Sequence, residues 1–353
     1  MARKRVTLAD VAAAAGVSPT TASLVLTGRG RELRISDIVQ ERVHAVSDEL
    51  GYRPNIVSIG LSKGTTKTIG FVSDTVATSQ LAGDMIRGAL EAAQEHGYML
   101  FIGETEGDAA SERQLIDAML DRQVDGVILA SMFTRLRPLP STLDGTAAVM
   151  LNALPVGASA VPSVVPDEYA AGRSAVRLLL EAGHRSVHLI GAGPGEHDVP
   201  PATVAGRERL AGIRDELASA GLAPASGWLC DAWLPPNGFA AVHDLLARDP
   251  TPRALICFND RLAFGAYQAL QEAGLRVPED VSVVSFDNAT LAEWLRPGLT
   301  TFGIPHEELG RRAVEVLLGM REKAEPAEAS GSPVVHRLAM PLFGRGSVAA
   351  VAR

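Results

Sequence analysis

Cysteine is almost absent from this chain of 353 residues: only Cys230 and Cys257 occur, each beside apolar neighbours. Two such thiols read as reduced core residues rather than a disulfide or a metal pair. No CxxC, no HExxH and no His-rich cluster is present, so no metal or other cofactor is expected. No apolar run reaches the roughly 18 residues of a membrane span, and the opening "MARKRVTLADVAAAAG" lacks the apolar stretch of a secretory signal. A cytoplasmic protein without membrane contact is expected. No nucleophile elbow or strained Gly-rich nucleophile turn is found, which argues against an enzyme, although Asp287 with His306 or His184 offers acid–base groups. The C-terminal stretch has no Leu heptads and so no tetramer-forming coiled coil.

What is present divides unevenly. The chain is 46% apolar with a net charge of −8, and it is long enough for two or more folding units. Residues 1–64 hold nine basic and six acidic side chains, a net of +3 that leaves −11 for the rest. A small basic head on an acidic body suits a protein whose head alone approaches a polyanion.

The head opens with "VTLADVAAAAGVSPTTASLVLTG". Thr7 and Asp10 form an N-cap pair, Gly16 stops the first helix, and Ser18 with Pro19 starts a second. Leu8, Val11, Ala12 and Ala15 line one face, and Ala22, Val25 and Leu26 another. Two short helices across a Gly-containing turn fit a DNA-binding helix-turn-helix or an ordinary αα-hairpin. A third helix, "SDIVQERVHAVSDELG", is expected to be capped by Ser36 and to turn Ile38, Val39, Val43, Val46 and Leu50 inward.

From Thr68 on, buried-strand runs such as "TIGFV", "GVILA", "ALICF" and "VSVVSF" alternate with helical patterns at 25- to 30-residue spacing. That spacing predicts βαβ units and doubly wound parallel sheets. The punctuation recurs in two halves, so two α/β lobes are expected to face a cleft beyond the strand ends. "GAGPGE" at Gly191 lacks the spacing of a phosphate loop and reads as a βα turn.

"VTLADVAAAAGVSPTTASLVLTGRG" with "RISDIVQERVHAVSDELGYRPN" closely resembles the headpiece of the lactose-repressor (LacI) family of bacterial transcription regulators. "GYMLFIGETEGDAASERQLIDAMLDRQVDGVILAS" and "PEDVSVVSFDNATLAEWLRPGLTTFGIP" resemble its regulatory core, whose fold is that of periplasmic sugar-binding proteins. The resemblance implies a headpiece over 1–54, a hinge over 55–66, a core over 67–345 and a tail over 346–353. Within the core it implies a first lobe of about 67–167 and 299–328 and a second of about 168–298 and 329–345.

It also implies roles. Pro19, Thr20 and Leu24 match positions that read base edges; Thr7, Ser18, Thr21, Ser23, Thr27 and Arg29 match or neighbour positions that hold phosphates. Leu24 stands where the family often has a long polar residue and can only pack on a thymine methyl, so an atypical operator is expected. The loop "GRGRELRIS" is about three residues longer than the family's, and its Arg29, Arg31 and Arg34 suit either a solvated loop or added phosphate contact. In "NIVSIGLSKG", Asn55, Val57, Ser58 and Leu61 fall in the hinge, which in the family becomes helical on DNA and wedges an apolar side chain, here Leu61, into the minor groove.

In the core, Trp233 matches a stacking aromatic and Arg207 the pocket arginine, with Arg209 as the competing alignment. Asn259 and Asp287 match polar ligand contacts, and Asn152 replaces a frequent Asp. Asp74 and Asp167 complete the candidates, with Ser79 and Gln80 where an aromatic pair is usual, which counts against a plain hexose. The implied protein is a ligand-responsive repressor that binds a pseudo-palindromic operator as a homodimer and answers to a sugar, polyol or nucleoside. A solute-binding protein for transport is the alternative.

Overall fold

The computed structural model describes residues 6–53, 65–77, 79, 83–157, 159–322 and 334–351. The expected hinge residues Asn55, Val57, Ser58 and Leu61, and the expected cavity residue Gln80, lie outside these residues. Two compact units emerge, Met1–Thr68 with Leu120–Asp125, and Ile69–Met119 with Gly126–Arg353.

The first unit holds α1 (Leu8–Ala15), α2 (Pro19–Leu26) and α3 (Asp37–Leu50). Local chemistry sets their ends. Thr7 and Asp10 close a reciprocal capping box, and Gly16 stops α1 with a left-handed φ of 63° that L side chains disfavour. Ser18 caps α2 by accepting from Thr21 N at 3.0 Å, and Pro19 takes the first turn. The axes of α1 and α2 turn by 103°, within the range of helix-turn-helix motifs. Val11, Ala12, Ala15, Ala22, Val25 and Val43 form the core of this unit. Two expectations for α3 fail. Ser36 occupies the N-cap but makes no side-chain cap bond, and Ile38, 76% exposed, lies in the first turn of α3 outside the stripe that Val43 centres. Leu50 is exposed too, in the last turn before the left-handed Gly51 cap.

The second unit contains two six-stranded sheets, ordered β11-β5-β4-β3-β1-β2 and β12-β10-β9-β8-β6-β7. The first combines β1 (Thr68–Ser73), β2 (Met99–Glu104), β3 (Gly126–Arg137), β4 (Ala148–Pro155), β5 (Ser163–Pro166) and β11 (Val335–Leu338). The second combines β6 (His188–Gly191), β7 (Ser226–Leu229), β8 (Ala254–Cys257), β9 (Ser282–Asp287), β10 (Thr300–Gly303) and β12 (Leu342–Phe343). Neighbours such as β1 and β3 or β8 and β9 run parallel, and β12 is antiparallel to β10. Strands such as β1, β6 and β8 are buried from end to end, which explains their uninterrupted apolar runs.

The chain passes between the lobes after Pro166, after Gly303 and after Leu338. The expected boundaries at 299 and 329 therefore move. Strand β10 pairs with β9, Thr300 opposite Val284, and belongs to the second lobe; β11 pairs with β5, Val335 opposite Ser163, and belongs to the first. Short apolar strands at a crossover carry no sequence mark of which sheet they join.

Helices cover the sheets in pairs. They are α4 (Gly83–Glu95), α5 (Ala109–Leu120), α6 (Glu168–Glu181), α7 (Val204–Ser219), α8 (Pro235–Arg248), α9 (Asp260–Glu272), α10 (Leu291–Trp294) and α11 (His306–Glu322). Where α6 crosses α7, glycines face backbone in both directions. A Cβ at Gly172 would meet Arg209 O at 2.3 Å, and one at Gly212 would meet Tyr169 O at 2.1 Å. This close approach fixes Arg209 over the first turn of α6. Gly212→Ala must part the helices, and we expect a loss of about 1–3 kcal/mol in chemical denaturation.

Strand β3 runs on past the end of β1. Its register with β4 shifts between Ala130 and Arg135 and then resumes, Arg135 opposite Ala153 and Arg137 opposite Pro155. Asn152 pins this ribbon: in a left-handed conformation (φ 54°), it accepts from Thr134 Oγ1 at 2.5 Å and donates to Met132 O at 3.0 Å. The ribbon carries Phe133, Thr134 and Arg135 into the space between the lobes.

Candidate functional site

In the first unit, α2 and its C-cap carry Pro19 and Thr20, exposed, with Thr21, Ser23, Leu24 and Thr27 half-buried. Several hydroxyls expected at phosphates are already engaged. Thr7 donates to Asp10 Oδ2 at 2.7 Å, and Thr27 donates to Ser23 O at 2.8 Å. Ser18 and Thr21 share one hydrogen bond of 2.8 Å, which leaves one of the two protons for another acceptor. Arg29 pairs with Glu32 at 3.2 Å.

In the second unit, a cavity of about 770 Å³ opens between the lobes. Its floor is built on Arg209. The guanidinium, 2% exposed, meets Glu168 in a fork, Nε to Oε2 at 2.7 Å and Nη2 to Oε1 at 2.8 Å, and Nη1 donates to Phe258 O. It also lies over the Phe286 ring at 4.3 Å and near Trp233 at 5.9 Å. Planarity and the fixed fork suit Arg, not Lys, to this place.

Above the floor stands Asp287, the last residue of β9, held at a φ of 107°. Burial pushes its carboxyl well above the usual carboxylate range; Arg209 pulls the other way, while Asp260 and Glu168 add to the rise. Burial also raises Asp260, whose oxygens accept from Thr301 Oγ1 at 2.8 Å and Ala289 N at 2.7 Å. His306, just after the second crossing between the lobes, is pushed down to about 4 by burial against the opposing pull of Asp84, and so is neutral at pH 7. Three aromatic rings border the space: Trp233, Phe133 and Phe343. Trp233 is braced by its Nε1 donating to Gly191 O at 3.1 Å and by an edge contact with Phe258 at 5.6 Å.

The expected residues separate into three groups. Trp233, Asp287, Asn152 and Asn259 line the cavity. Of these, Asn259 and Asn152 have their amides occupied internally: Asn259 caps α9 through Leu262 N at 2.8 Å and donates to Trp233 O at 3.1 Å. They shape the wall more than they offer hydrogen bonds. Asp74, Ser79 and Asp167 do not line the cavity; Asp74 accepts from Met132 N and pairs with Arg135 at 2.7 Å, and Asp167 caps α6 through Ala170 N.

Arg207 is exposed and borders a separate depression with Leu136, Arg137 and Pro201. Its competitor Arg209 takes the cavity floor, because Gly206, Arg209, Leu210 and Ile213 share the buried face of α7 and Arg207 points away. Sequence reasoning also missed Glu168 and Phe133. Phe133, 57% exposed, gives the first lobe an aromatic at the cavity in place of the pair replaced by Ser79 and Gln80. The signal was the run "GVILASMFTRLR", too long for a strand ending at the sheet edge. Among the described residues no group of three His, Cys, Asp or Glu could hold a metal ion, and no single helix is long and apolar enough to cross a membrane.

Residues 7–55 match the model of bacterial regulatory proteins of the lacI family, and residues 176–340 match a periplasmic binding protein-like domain. The ribose operon repressor of Haemophilus influenzae is 31% identical over 320 residues, covering 88% of this chain and 91% of the relative. The lac repressor dimer bound to operator and the anti-inducer ONPF superposes with a TM-score of 0.78 at 25% identity, over 98% of this chain and all of that one. A complex of the transcriptional regulator CelR with cellobiose gives 0.65 at 31% identity, over 97% of this chain and 100% of the other. The chain belongs to the LacI family of bacterial regulatory proteins.

Proposed function

We propose that this protein is a transcriptional repressor that binds a pseudo-palindromic operator as a homodimer, with its affinity set by a small carbohydrate in the interlobe cavity. The single observation that carries the reading is the pairing, on one chain, of a helix-turn-helix bent by 103° with a two-lobed core enclosing a cavity. The helix α2 offers Thr20 and Leu24 to base edges, and its N-terminus offers amides to phosphate. Ligands that touch both lobes can change the relation between them, and a coupling of about 1–3 kcal/mol gives a switch of roughly 5- to 150-fold.

Carbohydrate is favoured over nucleoside or polyol by the wall chemistry: apolar ring faces at Trp233 and Phe133 beside the carboxyl of Asp287. Relatives named for ribose and a neighbour holding cellobiose support the same class. The two roles, DNA binding and ligand response, leave no step that requires catalysis, and relatives carry regulatory rather than enzymatic names.

The test combines two measurements on the full chain. Fluorescence anisotropy should show binding to a duplex from the protein's own promoter region at least 100-fold tighter than to a scrambled duplex, within the range of specific DNA binders. A thermal-shift screen of mono- and disaccharides, polyols and nucleosides should return a stabilising carbohydrate that changes operator affinity. Equal binding to both duplexes would remove the repressor reading, and a carbohydrate that stabilises without altering DNA affinity would remove the regulatory one.

A further inference from the structure

The connection from α2 to α3 carries Arg29, Arg31 and Arg34 against a single acid, Glu32. Its backbone is organised. Arg29 N donates to Leu24 O at 2.9 Å, Leu33 N to Arg29 O at 3.1 Å, and Ile35 N to Gly30 O at 2.9 Å. Gln40 of α3 reaches back to donate to Ile35 O at 2.7 Å, and Gly30 is buried beneath it, where a Cβ would lie 2.6 Å from Gln40 Oε1. Arg34 is held in the left-handed region at φ 57°, which a β-carbon disfavours.

This scaffold turns Arg31, Leu33 and Arg34 to solvent. Arg29 and Glu32 neutralise each other at 3.2 Å, so the net charge of the loop rests on Arg31 and Arg34. The loop begins one turn beyond Leu24, directly at the C-terminal end of the helix whose other end offers Thr20. An otherwise acidic protein thus concentrates two exposed guanidinium groups beside that helix.

We propose that Arg31 and Arg34 form a second backbone contact in each head, gripping phosphates that flank the bases read by α2. The proposal rests on the repressor reading above. Guanidinium forks bind phosphate without regard to sequence, so the loop adds affinity and register rather than base choice. Each phosphate neutralised contributes about 0.9 to the slope of log affinity against log salt. Two per head give a dimer a contribution of about 3.6.

The test uses full-length protein, an operator duplex and a scrambled duplex, with anisotropy read across a range of salt. The neutral variant pairs Arg31→Gln with Arg34→Asn, because Asn tolerates the left-handed backbone. It should lower the salt slope by about 3–4 and weaken both duplexes by the same factor. Arg31→Lys with Arg34→Lys should keep most of the slope, and Glu32→Gln should strengthen both duplexes. If the wild type discriminates between the duplexes and the neutral variant keeps its slope, the loop is merely solvated and the proposal falls. If the wild type does not discriminate, the repressor reading fails instead. Should the neutral variant lose its helical signal, the Lys pair and Glu32→Gln decide, and an unchanged affinity in Glu32→Gln overturns the proposal.

Discussion

Replacing Arg209 by Met is expected to destabilise the effector core by about 3–5 kcal/mol, the usual cost of removing one partner from a buried ion pair. The guanidinium holds Glu168, which is 1% exposed, through two hydrogen bonds, and it also satisfies Phe258 O. Met fills much of the same volume over Phe286 but offers no donor. The orphaned Glu168 then faces burial with no partner for its charge, and the loss is read against wild type by urea denaturation. Adding Glu168→Leu should recover most of the loss, since apolar replacement of a whole buried pair is often neutral. A single variant that melts with the wild type would show that the pair does not hold α6 against α7.

Particular residues show why some of this was readable from sequence. The capping box of Thr7 and Asp10, the Gly16 stop and the Ser18–Pro19 start act within a few residues, so sequence order is enough to find them. The buried parallel strands were legible because both faces are covered and their runs are apolar throughout. Arg207 and Arg209 could not be ranked in that way. They are two residues apart on one helix, and only the packing of α7 against α6 at Gly172 and Gly212 decides which turns inward. The crossovers at Gly303 and Leu338 escaped for a similar reason: which sheet a four-residue strand joins depends on pairing far away in sequence. Asn152 and Asn259 look like ligand groups in a linear reading, yet the structure uses them to brace β3 and Trp233. Polar residues at strand ends serve either purpose, and composition does not separate the two.

Asp287→Asn is the substitution expected to separate stability from ligand response. No side-chain hydrogen bond to the Asp287 carboxyl is found among the described residues, in contrast to Asp260 with its two. Arg209 lies near enough to lower its pKa but is shared with Glu168, and burial dominates. The backbone adds strain at a φ of 107°. A poorly satisfied carboxyl in a strained position at a cavity wall is a candidate ligand contact. Through this group alone, the raised pKa costs nothing below about pH 4, where the carboxyl is protonated in both states, and takes away stability as pH rises through neutrality. Asn removes that ionisation and accepts a positive φ better than most residues. The variant should therefore unfold with a flatter pH profile and be about 1–3 kcal/mol more stable than wild type at pH 8, each unit of pKa elevation being worth about 1.4 kcal/mol. For a carbohydrate found by thermal shift, affinity should fall by about 10- to 150-fold, because a hydrogen bond to a charged group contributes about 1.5–3 kcal/mol. Titration calorimetry at pH 8 reads the loss directly. Unchanged affinity would move Asp287 from the ligand site to the scaffold, and a stability profile parallel to wild type would mean that its carboxyl is not held against its own charge.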